Sequence, residues 1–283
     1  MWSAGVPTEA SIQAAYMDLV AKSKHFTSIK NQFFVSGMDG SGVVRNRILQ
    51  ALVDSIERAV QRDESNIRSP ELTNFHAVMH WQFATICRGG RYSLFKALKG
   101  VTDHSENYVA FFGLRKYGIM PNGCASTEQI YIHSKLMIVD DRCAIIGSAN
   151  INDRSINGDR DSEIALVLED MHYEDGMMNE KPYRRGITAS KLLLQLPREH
   201  LGRSDDDTST ADPTSDHAWH SIKSTASNNT KTFEAVFILR RRTSIEVTQI
   251  FENQLMNVLK VPGRSHLWDA NNLKEGDYAP WKM

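Results

Sequence analysis

Residues 132–155 read IHSKLMIVDDRCAIIGSANINDRS, and they gather the side chains that handle phosphate: an imidazole, an ammonium, a hydroxyl and an amide. Alternation along an expected strand Ile130–Val139 puts His133, Lys135, Met137 and Val139 on one face. Ile132, Ser134, Leu136 and Ile138 share the other face, which is nearly all apolar and is expected against a core. His133 and Lys135 are then expected to project together from the opposite face, about 6.5–7 Å apart. A phosphate fits between them, its charge held by Lys135 and its phosphorus open to a ring nitrogen. A second expected strand (AIIGSAN) ends in a small-residue turn, where Gly147 permits close approach and Ser148 and Asn150 offer hydrogen bonds to a phosphate oxygen. A third opens with Asp161 and Glu163, either of which can accept a bond from the His133 ring and fix its tautomer.

The elements that must position these residues are legible as periodicity. Ile12, Ala15, Tyr16, Leu19 and Val20 mark a helical face within Thr8–Lys22, and Ile48, Leu49, Leu52, Val53, Ile56 and Val60 mark another. His25–Ser36 and Tyr108–Phe112 read as strands, as do Ala144–Ser148 and Ser162–Glu169, with a turn at Asp140-Asp141. Ala77–Cys87, Ser93–Lys99 and Arg184–Leu196 read as helical, Asp63–Phe75 as polar without a strand, and Met171–Met178 as a surface loop. Residues 203–216 (RSDDDTSTADPTSD) have the composition of a mobile loop or linker. A helix around Thr232–Phe237, the triplet Arg240–Arg242 and an amphipathic stretch Ile245–Leu259 follow. The triplet suits either an anionic lipid surface or a solvated helix end.

Composition narrows the function classes. Thirty-three Lys and Arg against 34 Asp and Glu give a net charge of −1, which counts against nucleic-acid binding by bulk charge. A hydrophobic content of 41% supports a packed core. No apolar run approaches the ~20 residues of a membrane span. Three cysteines without a CxxC pair fit free thiols in a reducing compartment and remove the common Cys-based zinc sites. Met1–Thr8 reads as no secretory signal, so a cytoplasmic location is expected.

The spacing H-x-K-x4-D-x6-G-S-x-N is complete in His133, Lys135, Asp140, Gly147, Ser148 and Asn150. It resembles the signature of the phospholipase D superfamily. The flanks SIQAAYMDLVAKSKHF, NQFFVSG, MHWQFATICRG and GSANINDRSINGDRDSE resemble the C-terminal catalytic half of eukaryotic phosphatidylcholine-hydrolysing phospholipases D, over roughly residues 8–237. The resemblance implies an α/β fold, a mixed β-sheet flanked by helices, with the catalytic half at 8–202, an acidic polar linker or loop at 203–216 and a helical extension at 217–283 that diverges after 237. It implies His133, Lys135, Asp140 and Glu163 as the motif's catalytic set, with Asp140 given a structural role at the strand end and Glu163 placed behind the histidine. Lys135, Ser148 and Asn150 match phosphate-binding positions. The implied reaction runs through a phosphohistidine without a metal or other cofactor, converts phosphatidylcholine to phosphatidic acid and choline, and can transfer to primary alcohols. The enzyme would work peripherally at a membrane surface.

That chemistry needs a nucleophile on one side of phosphorus and an acid for the leaving alkoxide on the other, and so two histidines. This sequence holds one H-x-K. Self-association, a separate N-terminal half or an inactive truncated copy are the three readings left. The alternatives in function are a catalytically incomplete lipid- or partner-binding fragment and a single-motif homodimeric phosphodiesterase or nuclease. Two departures from the family pattern bear on the fold. Lys30 stands where the family has an acid (IKNQFF for IENQFF), and the polar Asp63–Phe75 replaces an expected strand of the sheet.

Overall fold

The computed structural model describes residues 8–38, 44–62, 69–72, 85–86, 93–238 and 265–267. In chain order, α1 (Ser11–Lys22), β1 (Thr27–Asn31), α2 (Ile48–Gln61), β2 (Ser69–Leu72) and α3 (Leu94–Leu98) precede the hairpin β3 (Val109–Ile119) and β4 (Ala125–Gln129). Then come β5 (Lys135–Val139), β6 (Cys143–Gly147), the short α4 (Asp153–Ile156) and β7 (Ala165–Glu169). A second hairpin, β8 (Tyr173–Met178) and β9 (Lys181–Gly186), leads into α5 (Ile187–Leu201), α6 (Asp216–Ile238) and β10 (Ser265–Leu267).

The main sheet is mixed, with order β10-β3-β2-β1-β5-β6-β7 and β4 paired to β3. Strands β1, β2 and β3 run parallel, whereas β5, β6 and β7 follow one another antiparallel from β1. Helices cover both faces of its centre, so β5 is buried along its whole length. Met137 and Val139 enter the larger core with Ile29, Phe111 and the apolar faces of α1 and α2. Leu136 and Ile138 enter a second core with Ala144, Ala189 and Leu193, under α5. A third cluster sets Ala110 and Phe112 of β3 against Ala226 of α6. The chain is thus an α/β fold with a mixed sheet flanked by helices.

Several sequence expectations are corrected. Ser69–Leu72 forms β2 inside the sheet between β1 and β3, although Asp63–Phe75 reads as polar and strandless; pairing on both sides supplies what local propensity lacks. Lys135, not Ile130, begins β5, so His133 lies just before the strand, and its expected face-mates Met137 and Val139 are core residues rather than members of an open face. β1 is confined to Thr27–Asn31, with Phe34 adding an isolated bridge to Ile151. Within Met171–Met178, expected as a loop, Tyr173–Met178 forms a strand. The β8–β9 turn at Asn179-Glu180 has positive φ at both residues (54° and 61°), the backbone twist that suits a two-residue hairpin. Asp212 accepts the N–H groups of both turn residues, at 3.1 and 2.7 Å. Thr210 and Thr214 are buried. Of the two forms expected for 203–216, the segment takes that of a loop, tied to the hairpin through Asp212. The helix expected near 232–237 runs from Asp216, and the one expected at 184–196 begins only at Ile187, after β9. Apart from Thr85 and Ile86, the expected helix Ala77–Cys87 lies outside the described residues, as do Arg240–Arg242 and Ile245–Leu259.

Candidate active site

Three neighbouring strands bring the motif together. Lys135 pairs with Gly147 across β5–β6, and Gly147 pairs with Ala165 across β6–β7. The H-x-K segment, the G-S-x-N turn and Glu163 therefore meet at one end of the sheet. Gly147 is required for this approach. A Cβ there would stand 2.4 Å from the Ile164 carbonyl oxygen and 2.8 Å from Ala165 Cα, forcing β6 and β7 apart.

His133 is exposed at the mouth of a cleft of about 490 Å³, which Lys135, Gly147 and Ser148 line together with Ile146, Ile164 and Leu166. Lys135 is 4% exposed. Its Nζ donates to the His133 carbonyl at 2.8 Å and to Gln32 Oε1 at 3.4 Å. Burial holds the pKa of this ammonium below the ordinary lysine value, and the negative charge of Glu163 partly offsets that. An ammonium has three donors, so one remains for an anion in the cleft.

Glu163 accepts a hydrogen bond from the Ser148 hydroxyl, and the Ile164 N–H donates to Ser148 Oγ at 3.1 Å. Asp161 is paired with Arg154 at 2.5 Å. The structure thus brings Glu163 to Ser148 and into the field of Lys135, not to the ring of His133. Asn150 lies in the turn with a buried Oδ1 that has no hydrogen-bond partner among the described residues. Asp140 is at the opposite end of β5, where its carboxylate accepts from the N–H groups of Lys24, His25 and Phe26 at 2.7, 2.9 and 2.8 Å. Lys30 does not reach the motif residues; its Nζ lies 3.0 Å from Nε2 of the buried His200 on α5. Cys124 and Cys143 are free thiols, and Cys87 lies outside the described residues.

A family profile described as Phospholipase D matches residues 66–245, more than half of the chain. The chain belongs to the phospholipase D family. Phospholipase D of Phytophthora infestans is 78% identical to it, over 99% of this chain and 17% of that protein. Phospholipase D zeta 1 of Arabidopsis thaliana is 41% identical over 83% of this chain and 23% of its own length, and Phospholipase D1 of Homo sapiens is 38% identical over 83% and 24%. The chain therefore spans about a sixth to a quarter of the length of these phospholipases D. Among solved structures, Nuc from Salmonella typhimurium, titled a phospholipase D family member, covers 65% of this chain at 16% identity and a TM-score of 0.33.

Two residues at this phospholipase D-type site went unmarked by sequence reasoning. Gln32 and Tyr131 touch the H-x-K pair from outside the motif. Gln32 sits in a segment noted only for its resemblance, and Tyr131 reads as an ordinary strand residue. Their placement depends on the pairing of β1 with β5, which no local pattern encodes.

Proposed function

We propose that the chain is the second catalytic half of a phospholipase D that hydrolyses phosphatidylcholine to phosphatidic acid and choline, and that it acts with another H-x-K half. The observation that carries this reading is the cleft. It sets His133, Lys135 and Ser148 beside Ile146, Ile164 (73% exposed) and Leu166 (62% exposed), a polar end for a phosphodiester with an apolar wall for an amphiphile. A nitrogen of His133 attacks phosphorus while the facing imidazole of the second half protonates the departing choline oxygen. Water activated by that same imidazole then cleaves the phosphohistidine. Lys135, Ser148 and Asn150 hold the phosphate oxygens. Glu163, through Ser148 and its field at Lys135, balances the charge of the site, and Asp140 supports the strand.

No helix among the described residues is long and apolar enough to cross a membrane. The enzyme of this reading works peripherally at a membrane surface on the cytoplasmic side.

The test is choline release from phosphatidylcholine vesicles by the chain alone, over a concentration range that populates dimers, and by the chain mixed with the N-terminal H-x-K half of a full-length relative. Release is expected only where a second histidine is supplied and is lost in His133→Ala. Cleavage of DNA without choline release would favour the nuclease reading. Vesicle binding without release under every condition would leave the incomplete fragment.

A further inference from the structure

Asn31, the last residue of β1, and Gln32 after it are buried at 0% and 5% exposure, and neither belongs to the H-x-K or G-S-x-N segments. Asn31 fastens the second segment: its Nδ2 donates to the Ala149 carbonyl at 3.5 Å, and its Oδ1 accepts from the Ile151 N–H at 3.4 Å. Gln32 reaches the first, with Oε1 accepting from Lys135 Nζ at 3.4 Å and Nε2 donating to the Tyr131 hydroxyl. The partners decide which way this amide points. An ammonium can only donate, so the oxygen must face Lys135, and the nitrogen is left to the hydroxyl of Tyr131. The Tyr131 ring in turn stacks on that of His133, with centroids 6.0 Å apart and planes inclined by 19°. One amide therefore touches the cation of the H-x-K pair directly and its imidazole through a single aromatic ring.

We infer that Gln32 is a positioning residue of the site, setting the Lys135 ammonium and, through Tyr131, the His133 ring in mutual register. The inference rests on the phosphoryl-transfer reading, because register matters only where one phosphate must meet both groups. A displacement of about 1 Å can cost on the order of 10²-fold in rate. Burial disfavours the charged form of Lys135 and the Glu163 charge opposes that; a hydrogen bond accepted from an ammonium acts in the same direction as Glu163.

The test follows Lys135 directly, by 13C NMR titration of the full chain labelled at lysine, with the resonance assigned from Lys135→Arg. Gln32→Met removes both hydrogen bonds at similar volume and is expected to move the Lys135 titration to lower pH. Gln32→Glu supplies a charged acceptor and is expected to move it to higher pH. Tyr131→Phe keeps the ring stack, so Lys135 moves less, while the His133 ring resonances, assigned by their loss in His133→Ala, shift as they do in Gln32→Met. In the complex with a second half, Gln32→Met lowers kcat by ~10–100-fold with little change in KM. Gln32→Glu shifts the alkaline limb of the pH profile upward. Should Gln32→Met not fold, Gln32→Glu and Tyr131→Phe carry the comparison. A Lys135 titration unchanged in folded Gln32 variants overturns the assignment. A complex that releases no choline while Lys135 and the His133 resonances respond as stated overturns the functional reading and supports the role of Gln32.

Discussion

The two ends of β5 carry residues of one motif and treat them in opposite ways. At its entry, His133 is exposed and Lys135 is bound to two neutral carbonyl oxygens, leaving a donor for an incoming anion. At its exit, the carboxylate of Asp140 accepts from the N–H groups of Lys24, His25 and Phe26 and from the Ser23 hydroxyl. There the backbone turns through positive φ at Asp140 and Asp141 (51° and 53°), and the carbonyls of those residues receive Tyr183 Oη at 2.9 Å and Gly186 N at 2.7 Å. The entry end keeps hydrogen-bonding capacity for a ligand, and the exit end uses its capacity to hold the fold. A single sequence signature thus combines a ligand-facing requirement with an architectural one, at the two ends of a five-residue buried strand.

Substitution should separate the two requirements. His133→Ala removes the proposed nucleophile and is expected to lower choline release in the completed enzyme by at least ~10³-fold. Because the ring is exposed, the same variant should melt within about 0.5 kcal/mol of the parent. Asp140→Ala should do the reverse. Hydrogen bonds to a charged group contribute about 1.5–3 kcal/mol each, and the loss of three together with the positive φ predicts destabilisation by about 5 kcal/mol or more. Activity per folded molecule should stay near that of the parent. Chemical denaturation paired with choline assays reads both, and a stable but inactive Asp140→Ala protein would place Asp140 in the chemistry.

The entry end was legible in the sequence because its information is local. Spacing alone singled out His133, Lys135, Ser148 and Asn150, and the structure brings their segments together at adjoining strand ends. The partners of the acidic residues were not legible. The sequence offers Asp161 or Glu163 as partner for the imidazole, but the antiparallel register of β6 and β7 delivers Glu163 to Ser148, and Asp161 pairs with Arg154. β2 was missed because a four-residue strand containing Pro70 has little propensity of its own and depends on β1 and β3. The β3–β4 hairpin was missed although Pro121-Asn122-Gly123 announces a turn, with Gly123 at φ 75°. Helix periodicity fared better: the apolar face noted at 48–60 is the buried face of α2, since packing against a sheet imposes a repeat that a sequence displays directly.

The exit end also makes a pH prediction. Asp141 is 1% exposed, and its Oδ1 has no hydrogen-bond partner among the described residues. Burial pushes its pKa up to about 7; the nearby Arg185 charge opposes this, while Asp140, Asp212 and Asp170 add to it. The folded state therefore holds a proton that the unfolded chain releases near its ordinary value of 3.8. Asp141 stabilises the fold at low pH, and this contribution is lost as pH rises from about 4 to about 7, with no further change above. Asp141→Asn removes that slope and tolerates the positive φ. It should exceed the parent in stability at pH 8 by on the order of 2–4 kcal/mol and lie close to it at pH 4. Denaturant midpoints at the two pH values measure this, and an equal difference at both would remove titration as the cause.

The smallest expected effect tests whether the exit end is a network or a single clamp. Arg142 follows the two aspartates, and its Nε and Nη2 donate to the Arg184 carbonyl at 3.1 and 2.9 Å. Its guanidinium lies 4.5 Å from the ring centroid of Tyr183 and 5.7 Å from that of Tyr173. The group is exposed, so water screens much of this interaction, and Arg142→Ala should cost about 1 kcal/mol or less. The β8–β9 hairpin would still be held by Tyr183 and Gly186 on the turn, and by Asp212 beneath Asn179 and Glu180. Hydrogen exchange should therefore quicken moderately in residues 173–186 and stay unchanged in β5 and β6, with choline release unaffected. Arg142→Lys keeps the charge and loses the planar fork, so it should resemble alanine more than arginine. If Arg142→Ala instead released the hairpin fully, the bonds from Tyr183, Gly186 and Asp212 would depend on Arg142, and the exit end would be one clamp rather than several independent ties.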